Sequence, residues 1–445
     1  MGAATRGSTG REARRAPDCS RQQRGNASAG PPSGRSASTP ATTALRSVAR
    51  AGLPAAVLRR MVLVEAAAAL VMAGLALGGP WLAATVPAAC LLVVVAVVRR
   101  RGRAVRDWLS TALALRGRRR TAAPAPGTEP QLAPVAESVP GLAPYAYVDR
   151  NRRTVGMVGD GTFLTAVVRV EADGESLHRA RGARALPLSL LGDALTVDDI
   201  VLESAQLVQQ VRPAPARHLP QRSAARLSYA PLQERIGAPA LRMTWVAVKL
   251  DPELCREAVE ARGGGVGGAQ RCLVRVADHV ASRITGAGFR AVVLDQEELH
   301  SAVATSACAS PMLSARAGLP DAAPQRRTSE TARVWRCDDR RHTAYVVGRW
   351  PGLGRGATPL PLLVSLLTSV PAYATAFGLT VRRGAHRGEV SVVGHVRVTG
   401  GSDTELVEVR RTLEQAARHA EVGLVRLDRE QLPGVLATLP LGGAR

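Results

Sequence analysis

The sequence predicts a mixed α/β (α+β) domain built from two tandem β-α-β-β-α-β units of ferredoxin-like order, behind an N-terminal two-helix transmembrane hairpin. Three observations support this prediction. A long, almost uncharged apolar run precedes most of the chain, strand-like and helix-like segments then alternate in the same order twice, and the two passes end in similar sequences.

The first 57 residues are rich in Ser, Ala, Gly, Pro, Thr and Arg and poor in large apolar side chains, so we expect a disordered basic arm. Residues 1–60 hold 11 arginines and residues 99–120 hold 9, of 59 Lys and Arg in all. The formal net charge of +23 is therefore concentrated on the two sides of the apolar run rather than in the folded part.

Residues 58–99 are predicted to form the transmembrane hairpin. Met61–Val98 contains a single charged residue, Glu65, and a Gly-Gly-Pro sequence interrupts its middle. Because about 20 apolar residues cross a hydrocarbon core about 30 Å thick, the run suits two helices, Met61–Gly79 and Trp81–Val98.

Arginines flank the hairpin at both ends, so the positive-inside rule places both termini and the main domain in the cytoplasm, at the plasma membrane. We assign membrane anchoring to Arg59, Arg60, Glu65, Arg99, Arg100, Arg101 and Trp108. Glu65 lies about one turn from the cytoplasmic interface, where its side chain can reach water, and a contact with a partner span is the alternative.

Residues 100–120 are predicted to form an amphipathic juxtamembrane helix. Its apolar residues follow helical spacing: Val105, Trp108, Leu109, Ala112 and Leu113. We expect this helix to lie on the inner leaflet with Trp108 at headgroup depth and its arginines attracted to anionic lipid. Nucleic acid is the rival partner of a basic stretch, but the aromatic stacking residues of such binders are missing here, so no nucleic acid is expected.

Residues 121–140 contain five prolines and are predicted to form a semi-rigid linker. Unit 1 follows over residues 141–330 and unit 2 over residues 331–445. The predicted elements of unit 1 are Phe163–Glu171, Leu188–Leu195, Leu202–Val211, Thr244–Leu250, Gln270–Thr285 and Arg290–Leu294. Those of unit 2 are Ala344–Trp350, Leu360–Thr368, Leu379–Arg382, Val390–Val398, Ser402–Ala420 and Gly423–Leu427.

Two local signals support these elements. Ser402 and Glu405 form an S-x-x-E capping box, followed by an apolar helical stripe of Leu406, Val409, Leu413 and Ala417. The units also end alike, in LDQEEL and LDREQL, which indicates a tandem duplication. The duplication requires that Asp295 and Asp428 occupy equivalent positions.

Signals of catalytic chemistry are sparse. Lys249 is the only lysine and no G-x-x-x-x-G-K-[ST] occurs, which excludes a P-loop motor. The six cysteines form no C-x-x-C pair and fit reduced thiols better than a zinc site or a disulfide framework. Gly263–Gly268 satisfies G-x-G-x-x-G but follows helix-like residues, so we interpret it as a flexible loop. We therefore predict no catalytic, cofactor-binding or metal residues.

The segment Trp335–His342 is the part of the sequence richest in side chains that can act as acids, bases or nucleophiles. Asp338 with Asp339, or Cys337 with His342, could supply an acid, a base or a nucleophile. The simpler interpretation is a charged turn that enters a strand while Trp335 covers the core.

The sequence resembles the EccE family of actinobacterial type VII secretion systems, and is closest to its streptomycete form. The resemblance extends from about Val57 to the C-terminus. The stretches that carry it are MVLVEAAAAL, RRRGRAVRDWLSTALALRGRRR, PYAYVDRNRRTVGMVGDGTFLTAVVRVE, WRCDDRRHTAYVVGRWP and GLVRLDREQLPGVLATLPLGG.

The resemblance implies a structural subunit at the periphery of a plasma-membrane secretion complex, assembled with EccB, EccC and EccD, in which EccC would be the ATPase. It implies no catalytic residues. Two alternatives are kept. A membrane-anchored, transferase-like enzyme would need Asp338, Asp339 or His342 to line a pocket, and a nucleic-acid-binding membrane protein would lose affinity steeply with salt.

Overall fold

The computed structural model describes most of the chain after residue 98 and part of the region before it. The described residues are 45–47, 53–78, 83–90, 99–100, 103–124, 127–149, 152–172, 185–213, 222–224, 227–228, 241–319, 323, 325–351, 359–384 and 389–443. Most of the predicted arm, residues 79–82 and 91–98 of the predicted hairpin, and most of residues 214–240 lie outside these ranges.

The described part of the N-terminal region is mainly helical. Helix α1 spans Leu53–Leu77, residues 83–90 are helical, and helix α2 spans Val105–Thr121. Three short strands are also present: Leu45–Ser47, Arg99–Arg100 and Arg103–Ala104. Helix α1 begins four residues before the predicted end of the arm at residue 57 and eight residues before the predicted start of the first span at Met61. Within the described residues, no helix combines the length and the apolar character needed to cross a membrane.

Unit 1 begins with a short helix and a β-hairpin that precede its predicted elements. In chain order its main elements are α3 Ala133–Ala136, β1 Ala143–Val148, β2 Thr154–Gly159, β3 Leu164–Ala172, α4 Ser189–Asp193, β4 Ser204–Arg212, β5 Leu241–Leu250, α5 Arg256–Ala261, α6 Gly265–Gly286, β6 Phe289–Val293, α7 Gln296–Ala307 and α8 Pro311–Ala317. A small hairpin, Thr196–Val197 with Ile200–Val201, precedes β4, and a 3₁₀ turn, Pro252–Cys255, precedes α5.

Unit 2 repeats this plan. Its elements are β7 Thr328–Glu330, β8 Trp335–Cys337, β9 Arg340–Arg349, α9 Leu360–Thr368, β10 Ala374–Arg383, β11 Val390–Gly400, α10 Asp403–His419, β12 Gly423–Arg426 and α11 Gln431–Leu436. Each predicted strand and helix of the two units is present, most with shifted ends.

The strand order confirms the ferredoxin-like prediction. In unit 1 the antiparallel order is β6-β3-β5-β4, and in unit 2 it is β12-β9-β11-β10. Each is the order 4-1-3-2 that a β-α-β-β-α-β chain produces when both helices cover one face. The two sheets join because β4 pairs antiparallel with β10, with Leu207 opposite Leu379. The result is one continuous sheet across both units.

The repeat is longer than the sequence indicated. Hairpin β1-β2 extends the outer edge of β3, and hairpin β7-β8 extends the outer edge of β9 in the same way. At the other end, Leu294 and Leu427 directly follow β6 and β12, and both lead into a helix. Asp295 and Asp428 therefore occupy equivalent positions relative to the last strand of each unit, as a duplication requires, but Asp295 caps α7 whereas Asp428 pairs with Arg426.

The sheet has helices on both faces. Helices α4, α6, α9 and α10 cover one face, where Val246, Val248 and Leu250 are buried with the residues of α6. Helices α3, α7 and α11 cover the other, where Trp245, Ala247 and Val208 are buried. This alternation along β5 follows from the period of two in a strand, and it explains why the central strands are apolar on both sides.

The prediction of a linker over residues 121–140 is wrong for the second half of this range. Leu132 and Val135 are each 1% exposed, and they pack in the same core as α7 and α11. The prolines suggested an extended spacer, but Pro134 lies in the first turn of α3, where a missing N–H costs nothing. The folded part therefore begins at about residue 130 rather than at 141.

Two glycine regions show where backbone contacts are closest. Gly265–Gly268 forms the first turn of α6 rather than a loop, and a Cβ on Gly268 would lie 2.4 Å from the carbonyl oxygen of Val259. Only glycine allows α5 and α6 to approach this closely. At Gly378 on β10, a Cβ would lie 2.3 Å from the carbonyl oxygen of Ala437.

We expect Gly378→Ala to destabilise the protein by about 1–3 kcal/mol, because α11 must move away from the sheet to admit the methyl group. Thermal denaturation of the purified protein measures this change. Gly117→Ala is the matched control, because a Cβ on Gly117 in the exposed part of α2 meets no atom within 4 Å. Equal melting temperatures for the two variants would contradict this packing.

Candidate functional site

Helix α2 is fastened to the folded part at its C-terminal end. Arg118 donates to both carboxylate oxygens of Glu330 on β7, at 2.9 and 3.0 Å, and also to the carbonyl oxygen of Arg429 at 2.6 Å. Arg119 Nε donates to the backbone carbonyl of Glu330 at 2.8 Å. The bidentate pair fixes both the position and the orientation of the helix end.

Glu330 lies at the centre of this junction. Its side chain is 5% exposed, and its Oε1 also accepts the backbone N–H of Leu432 at 3.0 Å, where α11 begins. The Arg119 contact covers part of the edge strand β7, which would otherwise expose an unpaired backbone. One carboxylate therefore ties α2, β7 and α11 together.

A second ion pair lies at the other end of β7. Arg327 donates through Nε and NH2 to the two carboxylate oxygens of Asp338, both at 2.8 Å, and the two side chains are 6% and 0% exposed. The guanidinium also bonds the carbonyl of Pro130 at 2.9 Å and Ser314 Oγ at 3.1 Å. The pair therefore joins α8, the segment before α3 and the β8-β9 turn.

The buried carboxylate of Glu137 completes this corner. It accepts the backbone N–H groups of Arg327 and Thr328 and the hydroxyl of Thr328, at 2.8 to 3.0 Å. Burial raises the pKa of Glu137, and these hydrogen bonds oppose the rise. The sequence did not reveal Glu137 and Glu330 because their partners lie far away in the chain, and it did not reveal Arg327 although its partner Asp338 is only 11 positions away.

The segment Trp335–His342 forms a charged turn over the core, as the simpler interpretation expected. Trp335 is 1% exposed, and Asp338 occupies the turn with a positive φ of 52°. Asp339 is exposed beside Arg340. The Asp338 carboxylate is committed to Arg327 and to the N–H of Ser310, so it is not poised as an acid or a base.

Cys337 and His342 are held in their neutral forms. Burial raises the pKa of the Cys337 thiol well above its ordinary value, and burial lowers the pKa of His342 well below its own. His342 Nδ1 lies 2.9 Å from Thr399 Oγ1. Nucleophilic catalysis by a cysteine needs the opposite shift of the thiol pKa.

These buried histidines predict loss of stability in acid. Burial also lowers the pKa of His395 to about 4. The unfolded chain takes up protons as the pH falls below about 6.5 while the folded chain does not, so folding weakens between pH 6.5 and 4. The His395 contribution is about 3 kcal/mol at most. Melting temperatures measured across this range should fall less steeply for His395→Gln, and an unchanged slope would contradict the assignment.

The residues predicted to anchor the chain lie in the N-terminal region. Arg59, Arg60 and Glu65 are part of α1, and Glu65 is exposed. Arg99 and Arg100 form a short strand paired with Arg103–Ala104, and Trp108 lies in the first turns of α2. Arg101 lies outside the described residues. The structure therefore places Arg59, Arg60 and Glu65 on one helix, Arg99 and Arg100 in a strand before α2, and Trp108 in α2.

Other features of the interior are structural. The only lysine, Lys249, is 1% exposed and pairs with Glu203 at 3.0 Å. Four cysteines that the structure describes are buried free thiols: Cys255, Cys272, Cys308 and Cys337.

An open groove of about 780 Å³ lies between β12 and the end of α10. Its lining includes Trp350 and Arg418 but none of Asp338, Asp339 and His342.

Comparison with known proteins identifies a family segment within this fold. The family described as "Putative type VII ESX secretion system translocon, EccE" matches residues 238–347, which run from β5 to β9. Two curated proteins named "ESX-1 secretion system protein EccE1", from Mycobacterium tuberculosis strains CDC 1551 / Oshkosh and ATCC 25618 / H37Rv, are each 41% identical over 63 residues.

The matched region of the relatives is short. It covers 14% of this chain and 14% of the length of each relative. The family segment contains Arg327, Glu330 and Asp338, which fasten α2 and α8 to the folded part. These matches confirm the resemblance predicted from the sequence: residues 238–347 match the EccE family.

Proposed function

We propose that this chain is a structural, non-motor subunit of a type VII secretion complex, which anchors and braces the assembly at its periphery. The observation that carries the proposal is the family match over residues 238–347. The absence of a Walker A sequence agrees with a subunit that depends on another protein for ATP hydrolysis. The proposed partners are homologues of EccB, EccC and EccD.

The proposed location is the cytoplasmic side of the plasma membrane. The apolar run within residues 58–99 would anchor the chain, and its arginine flanks favour cytoplasmic termini. Leu109 and Leu113 on α2 are 48% and 58% exposed, which suits an apolar stripe that faces lipid while the arginines contact anionic headgroups.

The junction at Glu330 gives this anchor a mechanical role. A helix that lies on the membrane and is clamped by a bidentate ion pair would hold the folded part at a fixed orientation. A flexible linker would let the domain rotate freely. We therefore infer that α2 acts as a brace between the bilayer and the two-unit domain.

Deletion of residues 58–99 tests the location. In cells that carry a C-terminal tag, the full chain should sediment with membranes and resist carbonate extraction, and the tag should resist protease added to intact spheroplasts. The deletion variant should move to the soluble fraction. A variant lacking residues 1–44 is the control and should still sediment. Cleavage of the tag from outside, or sedimentation without residues 58–99, would contradict the proposed anchoring.

A further inference from the structure

Arg397 is a buried cation in the middle of the sheet. It lies on β11 and is 0% exposed, and its Nη2 donates to the carbonyl oxygen of Ser306 in the last turn of α7. Its Nε and Nη1 atoms are buried and have no hydrogen-bond partner among the described residues. Because a guanidinium group keeps its proton inside a protein, this position carries a full positive charge.

Two side chains of β4 reach the same end of α7. Gln210 and Arg397 occupy one row across the sheet, with β10 between them. Gln210 Nε2 donates to the carbonyl oxygen of Thr305 at 3.2 Å, and Arg212 Nη2 donates to the same oxygen at 3.0 Å. Since this oxygen and that of Ser306 belong to consecutive residues, the two guanidinium groups converge on one helix end.

The positive charge of this group, which we name the Arg397 cluster (Gln210, Arg212, Arg397 and the end of α7), is only partly offset. Burial lowers the pKa of Arg397, and the ionisable groups that also act on it are Cys308, Cys337 and Arg212. No carboxylate of the described residues is among them. The C-terminal end of a helix carries about half a negative charge, against two guanidinium charges here.

The acids of the neighbouring β8-β9 turn are paired with other arginines. Asp338 binds Arg327 at 2.8 Å, and Asp339 binds Arg340 at 3.2 Å. These carboxylates are therefore committed elsewhere. A buried guanidinium without a counter-charge is strongly unfavourable, so the Arg397 cluster is expected to have a further negative partner.

We propose that the Arg397 cluster binds a small inorganic anion of the size of chloride, held between the guanidinium groups of Arg212 and Arg397. The anion accepts the N–H groups of Arg397 Nε and Nη1 and of Arg212 Nε, which is also buried without a partner among the described residues. Water could pair these donors and the unpartnered Gln210 Oε1, but it would leave the charge uncompensated. The anion would thereby join β4 of unit 1 to β11 of unit 2.

Thermal denaturation of the purified full chain tests this site. Chloride replaces gluconate at constant ionic strength, which separates binding of a specific ion from general screening. We expect the melting temperature to rise by a few degrees and then to level off, because a ligand that binds only the folded chain stabilises it. Arg397→Met should remove this dependence. Arg336→Met is the matched control, because Arg336 is exposed on β8, and this variant should keep it.

Three results would overturn the inference. Equal melting temperatures in chloride and gluconate would leave the cluster to water alone, and an undiminished chloride dependence in Arg397→Met would place the anion elsewhere. If Arg397→Met fails to fold, Arg212→Met replaces it and should weaken the dependence. Anomalous diffraction from crystals grown in bromide gives a direct readout. A peak beside Arg397 is expected, whereas peaks confined to the surface would indicate an adventitious ion only.

Discussion

Replacement of Asp338 by alanine is expected to destabilise the folded part by about 3–5 kcal/mol, because the Arg327 guanidinium is then left buried without its counter-charge. The variant should melt at a much lower temperature and fail to assemble. Asp338→Asn should be less damaging, since asparagine tolerates the positive φ and can still accept the N–H of Ser310. Thermal denaturation in detergent measures both effects.

The adjacent residue supplies the control for this experiment. Asp339 lies in the same turn, but its side chain is 61% exposed, so Asp339→Ala should change stability by about 0.5 kcal/mol or less. If this turn were an active site instead, Asp338→Ala would keep its stability and its assembly and lose only an activity. That result would contradict the structural role.

Arg118→Ala is expected to release α2 from the folded part. The substitution leaves the Glu330 carboxylate nearly buried with its hydrogen bond from Leu432 but without its counter-charge. We expect a loss of about 2–3 kcal/mol, less than for a fully buried pair because Arg118 is 23% exposed. Hydrogen–deuterium exchange should rise in α2, and protease should cut more rapidly between residues 121 and 127.

Arg120→Ala is the matched control for the α2 junction. Arg120 lies in the same turn of α2 and is exposed, so its replacement removes one positive charge without breaking the clamp. Its exchange pattern should resemble that of the unmodified chain. Equal release of α2 in both variants would mean that general charge, rather than the Arg118–Glu330 pair, holds the helix.

The repeated core was predictable because its signals are local. Alternating valines on β11 and the capped, striped helix α10 each identify their own type of element within a few residues. Leu406, Val409, Leu413 and Ala417 are all buried as expected. Ser402 caps the helix, while Glu405 reaches the N–H of Gly401 rather than that of Ser402. Such patterns depend only on residues that are close in the sequence. They can therefore be recognised without knowledge of the tertiary structure.

The candidate site was not predictable for the opposite reason. Arg118 and Glu330 are separated by 212 positions, and Glu137 lies 190 positions from Arg327. No local pattern marks such pairs. The flanking hairpin β1-β2 was also missed, because β2 carries glycines and buries both of its faces, so no alternation appears in its sequence. Helix α3 was also missed, because the prolines around it suggested an extended linker and gave no sign that the segment is buried.

The central proposal is that this chain is a subunit of a type VII secretion complex. The most direct test is to tag the C-terminus, solubilise membranes in mild detergent, and identify by mass spectrometry the proteins that migrate with the chain on a native gel. We expect a large assembly that contains homologues of EccB, EccC and EccD. Migration of the chain alone, with the complex intact without it, would contradict the claim.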